Sequence, residues 1–163
     1  MGWYPYRHAI KRSASKRPND SRIRILEHPG YTHFKQSRFL GRGFASELNR
    51  YVACITDGLH LNYTIAKVFE IPSAGCLLLI NAEMRAALAR HGMFDGVHFL
   101  SYRNRRQSLE RVVDYILRPA NAAKIRAMRQ RAQALVWRRH LVVHKAAALR
   151  SVVARLSVPV LIR

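Results

Sequence analysis

Acidic side chains are scarce in this chain: nine Asp and Glu stand against 29 Lys and Arg, a formal net charge of +20 over 163 residues. None occurs after Asp114, while Arg118, Lys124, Arg126, Arg129, Arg131, Arg138, Arg139, Lys145, Arg150, Arg155 and Arg163 follow it. Long apolar runs are missing too. The longest, Gly75 to Ala82, is too short to span a bilayer, and the opening Met1-Gly2-Trp3-Tyr4-Pro5-Tyr6-Arg7 holds no apolar signal core. A cytoplasmic location is the default expectation from those two absences. Cysteine is rare: Cys54 and Cys76 fall in apolar, strand-like stretches, where the expectation is two small buried hydrophobes and no disulfide. Neither a G-x-x-x-x-G-K-S/T nor a G-x-G-x-x-G loop is present, and Gly41-Arg42-Gly43 alone is weak. A P-loop ATPase, a kinase and a dinucleotide oxidoreductase are thereby disfavoured. His140 and His144 stand one helical turn apart, but without a third ligand they are expected to lie on an exposed basic helix. Neither a metal nor a cofactor is expected.

What is present is enough for one folded domain. The apolar fraction is 49%, ordinary for a globular protein. Residues 1–21, with Pro5, Pro18 and the cluster Pro18-Asn19-Asp20-Ser21, are expected to form a basic arm or linker, and residues 157–163 a tail. Between them, residues 22–156 alternate two kinds of pattern. Arg22 to Leu26 predicts a strand closed by His28-Pro29-Gly30, and Tyr31 to Gly43 a loop. Phe44 to Arg50 predicts a short helix and Tyr51 to Thr56 a buried strand stopped by Asp57-Gly58. Leu61, Ile65, Val68 and Phe69 mark an amphipathic helix broken by Gly75, and Cys76 to Ile80 is a continuous apolar strand. A helix over Ala82 to Arg90 ends at His91-Gly92, a strand covers Val97 to Ser101, and a further helix runs from Leu109 to Pro119. From Ala120 to about Leu156 one long bent helix or two consecutive ones are expected.

Strands separated by helices need crossovers, so the expected fold is α/β. It is a Rossmann-like parallel sheet of about four strands, with helices on both faces and a basic helical C-terminus. Ligands of such open sheets bind beyond the carboxyl ends of the strands. That rule gathers His28 to Gly43, Asp57 to Asn62 and Asn81 to Glu83 around one candidate site.

The stretch Tyr63-Thr64-Ile65-Ala66-Lys67-Val68-Phe69-Glu70-Ile71-Pro72-Ser73-Ala74-Gly75-Cys76-Leu77-Leu78-Leu79 carries a further signal. It resembles the donor-site signature of glycosyltransferases of the GT-B fold, in the group 1 family and its spore-maturation-protein-like branch. There a basic residue precedes a Phe-Glu pair, and glycine opening an apolar strand follows. Lys67, Glu70 and Gly75 keep that order. Arg90 to Val97 resembles the family's turn before a strand, Ser108 to Pro119 its helix running into proline, and His140 to Ala146 its closing helix, with Lys145 in place of arginine. The resemblance runs from about His28 to Leu149.

It implies that Glu70 accepts the ribose hydroxyls of a nucleotide-sugar donor, and that Lys35, Arg38 and Arg42 hold the diphosphate. A plain salt bridge between Lys67 and Glu70, one turn apart, is the structural alternative. Gly75 has a sufficient explanation in close helix-to-strand packing. One departure stands out: retaining members commonly have a second Glu eight residues before the ribose Glu, and that position is Asn62, which hydrogen-bonds but carries no charge. The family's complete fold also places an acceptor-binding domain ahead of this one. Residues 1–21 are too few for it, so the resemblance implies an incomplete enzyme, a subunit of a split one, or a binding domain. The alternative from charge alone is a nucleic-acid-binding protein built on the acid-free C-terminal helices, although Trp137 is the only aromatic residue there. A scaffold that binds nothing specific is the third option.

Overall fold

The computed structural model describes residues 41–58, 63–103 and 106–156, together with Ile10 and Arg24. Helix α1 (Gly41–Asn49) leads into strand β1 (Ala53–Ile55), followed by α2 (Lys67–Ser73) and β2 (Leu77–Asn81). A 3-10 turn over Ala82–Met84 passes into α3 (Arg85–Ala89), then come β3 (Phe99–Tyr102) and α4 (Arg106–Leu117). A second 3-10 turn, Pro119–Asn121, precedes α5 (Ala122–Arg139) and α6 (Val142–Leu156). The strands form a three-stranded parallel sheet in the order β1-β2-β3. The expected strand over Arg22 to Leu26 lies outside the described residues apart from Arg24, as do the tail and, Ile10 excepted, the N-terminal arm.

The middle strand dictates the layering. All five residues of β2 are buried, and alternate residues of a strand point to opposite faces. Cys76, Leu78 and Ile80 share one cluster with Val68 and Ile71 of α2, Ala87 and Leu88 of α3, and Leu48 of α1. Leu77 and Leu79 join Leu109 and Ile116 of α4 with Ile125 and Met128 of α5 on the other side. Both crossovers step the same way across the sheet, so right-handed connections put α2 and α3 on the same face.

Two boundaries differ from expectation. The segment Gly41-Arg42-Gly43 is the first turn of α1 and not a loop. Its glycines cost about 1 kcal/mol each against alanine, but Leu48 is buried and Phe44 packs on the same cluster one turn earlier. Helix α2 starts at Lys67 and not near Leu61, and it continues through Pro72, whose missing N–H is tolerated close to the helix end. Gly75 closes it with φ +77°. Its N–H donates to the Pro72 carbonyl at 2.9 Å and that of Cys76 to Ile71 at 3.2 Å, the paired bonds of a Schellman stop. Gly92 ends α3 the same way, through Gly92 to Ala89 and Met93 to Leu88.

Cys54 and Cys76 form a disulfide, which corrects the expectation of two separate thiols. Cys54 faces Leu78 across the β1–β2 ladder, so Cys76 is its diagonal neighbour on the same face, with the Cα atoms 6.2 Å apart. Two apolar segments 22 residues apart become adjacent only through the parallel register.

The long C-terminal helix breaks in two at His140-Leu141. No helix among the described residues is long and apolar enough to cross a membrane. Since Leu78 is fully buried in the central strand, Leu78→Ala should lower unfolding free energy by about 2–5 kcal/mol in a denaturant titration. A loss below about 1 kcal/mol would contradict that central position.

Candidate functional site

Strand β1 is followed by Thr56 and Asp57, both buried, and β2 ends in the buried Asn81. Polar groups are rarely buried without partners, and here they tie the strand ends together. The Asn81 side-chain carbonyl accepts the Gly58 N–H at 3.0 Å, and its amide donates to Glu83 at 3.0 Å. The Tyr102 hydroxyl, at the end of β3, donates to the Thr56 carbonyl at 3.2 Å. Gly58 fits because it lacks a β-carbon, which would fall inside the buried Met84 thioether. Beside this edge Arg85 donates twice to the Ser101 hydroxyl, at 2.7 and 2.9 Å, and pairs with Asp95 at 2.8 Å. Ser101 in turn donates to Asp95 at 2.7 Å. The carboxyl edge of the sheet is therefore a rigid polar rim.

The connection leaving β1 at this edge returns as α2, so the first turn of α2 lies on that side. Val68, Ile71 and Pro72 face the core, which turns Lys67 and Glu70 outward. Lys67 Nζ reaches Glu70 Oε2 at 2.8 Å, with the side chains 38% and 44% exposed. The same ammonium sits 3.7 Å from the centroid of the Phe44 ring. One lysine thus ties α1 to α2 by cation–π attraction and orients the carboxylate. Arg42 is exposed on α1, two residues before Phe44. Lys67 and Glu70 are thus brought together with α1, the element that carries Arg42. Gly75 stands at the opposite end of α2, in its Schellman stop. Lys35, Arg38 and Asn62 lie outside the described residues, as do residues 59–62 of the connection.

The far end of α2 is held by α5. Arg129 Nε donates to the Gly75 carbonyl at 2.6 Å, Gln133 to Ser73 at 3.1 Å and Trp137 Nε1 to Ser73 at 3.2 Å. These three stand four residues apart on one face of α5, and they satisfy carbonyls that a helix end leaves open.

A second cluster lies along α2. The Phe69 ring stacks on His140 at 4.9 Å and meets His91 edge-on at 5.4 Å. His140 Nε2 donates to the His91 carbonyl at 2.9 Å, which leaves Nδ1 to accept from Lys145 at 3.5 Å. His140 therefore sits half-buried at the α5–α6 break, whereas His144 Nδ1 accepts the Leu141 N–H at 3.2 Å. The expectation of two histidines on one exposed helix is corrected on both counts. Among the described residues no group of three or more His, Cys, Asp and Glu is placed to hold a metal.

Residues 47–151 match the family model described as glycosyl transferase-like. The chain belongs to that family. Neither the curated proteins nor the solved structures compared with it give a match. The matched range takes in α2 with Lys67 and Glu70, the three described strands, and α6 as far as Ser151. Membership of this family suggests sugar transfer and a sugar donor as the ligand class. The alternation of strands and helices pointed to this edge, and the motif pointed to α2. Phe44 beneath Lys67, and His140 against Phe69, left no signal in the sequence, because each contact joins elements far apart in the chain.

Burial first, then the charges of His140, Lys145 and Arg90, push the His91 pKa below its ordinary value. Burial likewise lowers His140; Lys145, Arg139 and His144 add to the fall, and the bond to His91 opposes it. A histidine depressed in the folded state protonates first in the unfolded chain. Its stability contribution is present above about pH 6.5 and lost as pH falls toward the folded value. The melting temperature should drop between about pH 7.5 and about pH 5.5, and His140→Gln should flatten that slope. An unchanged slope in the variant would remove His140 from this role.

Proposed function

We propose that this domain is the donor-binding part of a sugar-transferring enzyme of the GT-B type, near the group 1 and spore-maturation-protein-like branch. Its ligand is a nucleoside-diphosphate sugar at the carboxyl edge of the sheet. The reading rests above all on Glu70, a half-exposed carboxylate on the helix that returns from that edge, oriented by Lys67 at 2.8 Å. Family membership supports it. A carboxylate with one oxygen held by an ammonium keeps lone pairs for two ribose hydroxyls. Charge-assisted bonds of that kind are the strong ones. In this reading Arg42, with Lys35 and Arg38, offsets the diphosphate charge as the glycosidic bond breaks. Asn62 supplies neutral hydrogen bonds where retaining members carry a second carboxylate, and Gly75 serves by stopping α2 where the strand must begin. Calorimetry with UDP, GDP and ADP should show binding of at least one. Glu70→Gln should weaken it by about tenfold to a hundredfold, the cost of about 1.5–3 kcal/mol for a charged hydrogen bond. Equal affinity in the variant would remove Glu70 from the site.

The same reading assigns the acceptor to a separate domain or subunit. Transferases of this type act in a cleft, and the base for the acceptor hydroxyl must stand within hydrogen-bond reach of it. A donor on a one-walled site stays open to water, and the electrostatic gain of a dry, closed site is lost. Purified chain incubated with nucleotide sugars and acceptors should release nucleotide no faster when acceptor is added. Robust acceptor-dependent release would show that no second domain is needed.

A further inference from the structure

Helix α6 is exposed along nearly its whole length. Every residue from 142 to 155 is exposed except the half-buried His144. Yet the helix is not polar. Val142 is 83% exposed, Val143 65%, Leu149 64% and Val152 51%. Val142, Ala146, Leu149 and Val153 recur at intervals of four, three and four residues, the spacing of one helical stripe. Lys145 and Arg150 border the stripe, and Arg155 lies on the opposite face with His144 and Ser151. The exposed Arg138 and Arg139 close α5 just ahead of it, next to the exposed Trp137. Adjoining apolar residues left in water at this density mark an interaction surface.

Charge decides among the surfaces that would cover it. No acidic residue occurs anywhere after Asp114, so a second copy of the helix would bring like charges together with nothing to offset them. A nucleic acid would answer the arginines, but its phosphates would gain nothing from exposed valine and leucine. An anionic bilayer answers both halves: headgroups for the basic rim, and the headgroup–acyl boundary for the apolar stripe. At 15 residues α6 is too short to span, so it would lie in the interface plane. We propose that α6 is a surface anchor that attaches this domain to membranes rich in anionic phospholipid. The proposal is independent of the nucleotide reading, and each can fail alone.

The test is co-sedimentation of the purified full chain with vesicles of phosphatidylcholine alone and of equimolar phosphatidylcholine and phosphatidylglycerol. Binding should favour the anionic vesicles and weaken as salt is raised. Leu149→Gln combined with Val142→Gln should lower it by about tenfold, with circular dichroism and melting temperature unchanged because both positions are exposed. Val142→Lys separates the two contributions. It removes apolar area and adds charge, so binding falls if the stripe inserts and rises if charge alone drives attachment. A rise would overturn the proposal. So would equal binding to both vesicle types, displacement by duplex DNA at physiological salt, or a concentration-dependent dimer in sedimentation equilibrium that Leu149→Gln abolishes.

Discussion

Strand β2 has no face turned to water, and the arrangement of its neighbours follows from that. A strand buried on both sides must be paired on both edges and covered on both faces. The pairing is parallel on each edge, so each link to a neighbour is a crossover carrying a helix. Because β1, β2 and β3 lie side by side in chain order, α2 and α3 fall on one face, while α4 and part of α5 seal the other. The position of Glu70 is a consequence. It sits on the first turns of the helix that comes back from the carboxyl edge, outward because Val68 and Ile71 must point inward.

The acid-poor C-terminal half shows how such a chain satisfies its cations. With no carboxylate after Asp114, arginines of α5 turn to backbone carbonyls: Arg129 to Gly75, Arg131 to Val97 and Arg138 to Ala134. Arg129, together with Gln133 and Trp137, fixes the C-terminal end of α2, while Phe44 and Lys67 fix its beginning. A seven-residue helix with Pro72 near its end has little stability of its own. It is held at both ends by other elements, and that holding keeps the carboxylate in place.

Much of this was legible in the sequence, for identifiable reasons. Continuous apolar runs such as Cys76 to Ile80 announce a two-sided strand, and Gly75 and Gly92 announce helix stops because only glycine enters positive φ at no cost. The order of these signals was enough to predict parallel pairing. Boundaries were less legible. Tertiary packing of Leu48 drew Gly41 and Gly43 into a helix that their propensity disfavours, and Pro72 sits inside a helix because it falls near the end. Contacts between distant segments left no trace. The Cys54–Cys76 pairing needs the β1–β2 register, and the cation–π contact of Lys67 needs the approach of α1 to α2. The stacking of Phe69 on His140 needs α5 to end where it does. Of the sequence-derived site residues, Lys67, Glu70, Arg42 and Gly75 can be placed, while Lys35, Arg38 and Asn62 lie outside the described residues.

Under the proposed function, the carboxyl edge of the sheet and the first turns of α2 form one nucleotide-binding surface. Amide chemical-shift mapping of the isotope-labelled chain tests it directly, with UDP, GDP and ADP each titrated in turn. The account predicts saturable shifts for one nucleotide at least, concentrated at Thr56 to Gly58, Lys67 to Glu70 and Asn81 to Glu83. Shifts confined to the basic helices α5 and α6, or absent for all three nucleotides, would contradict it.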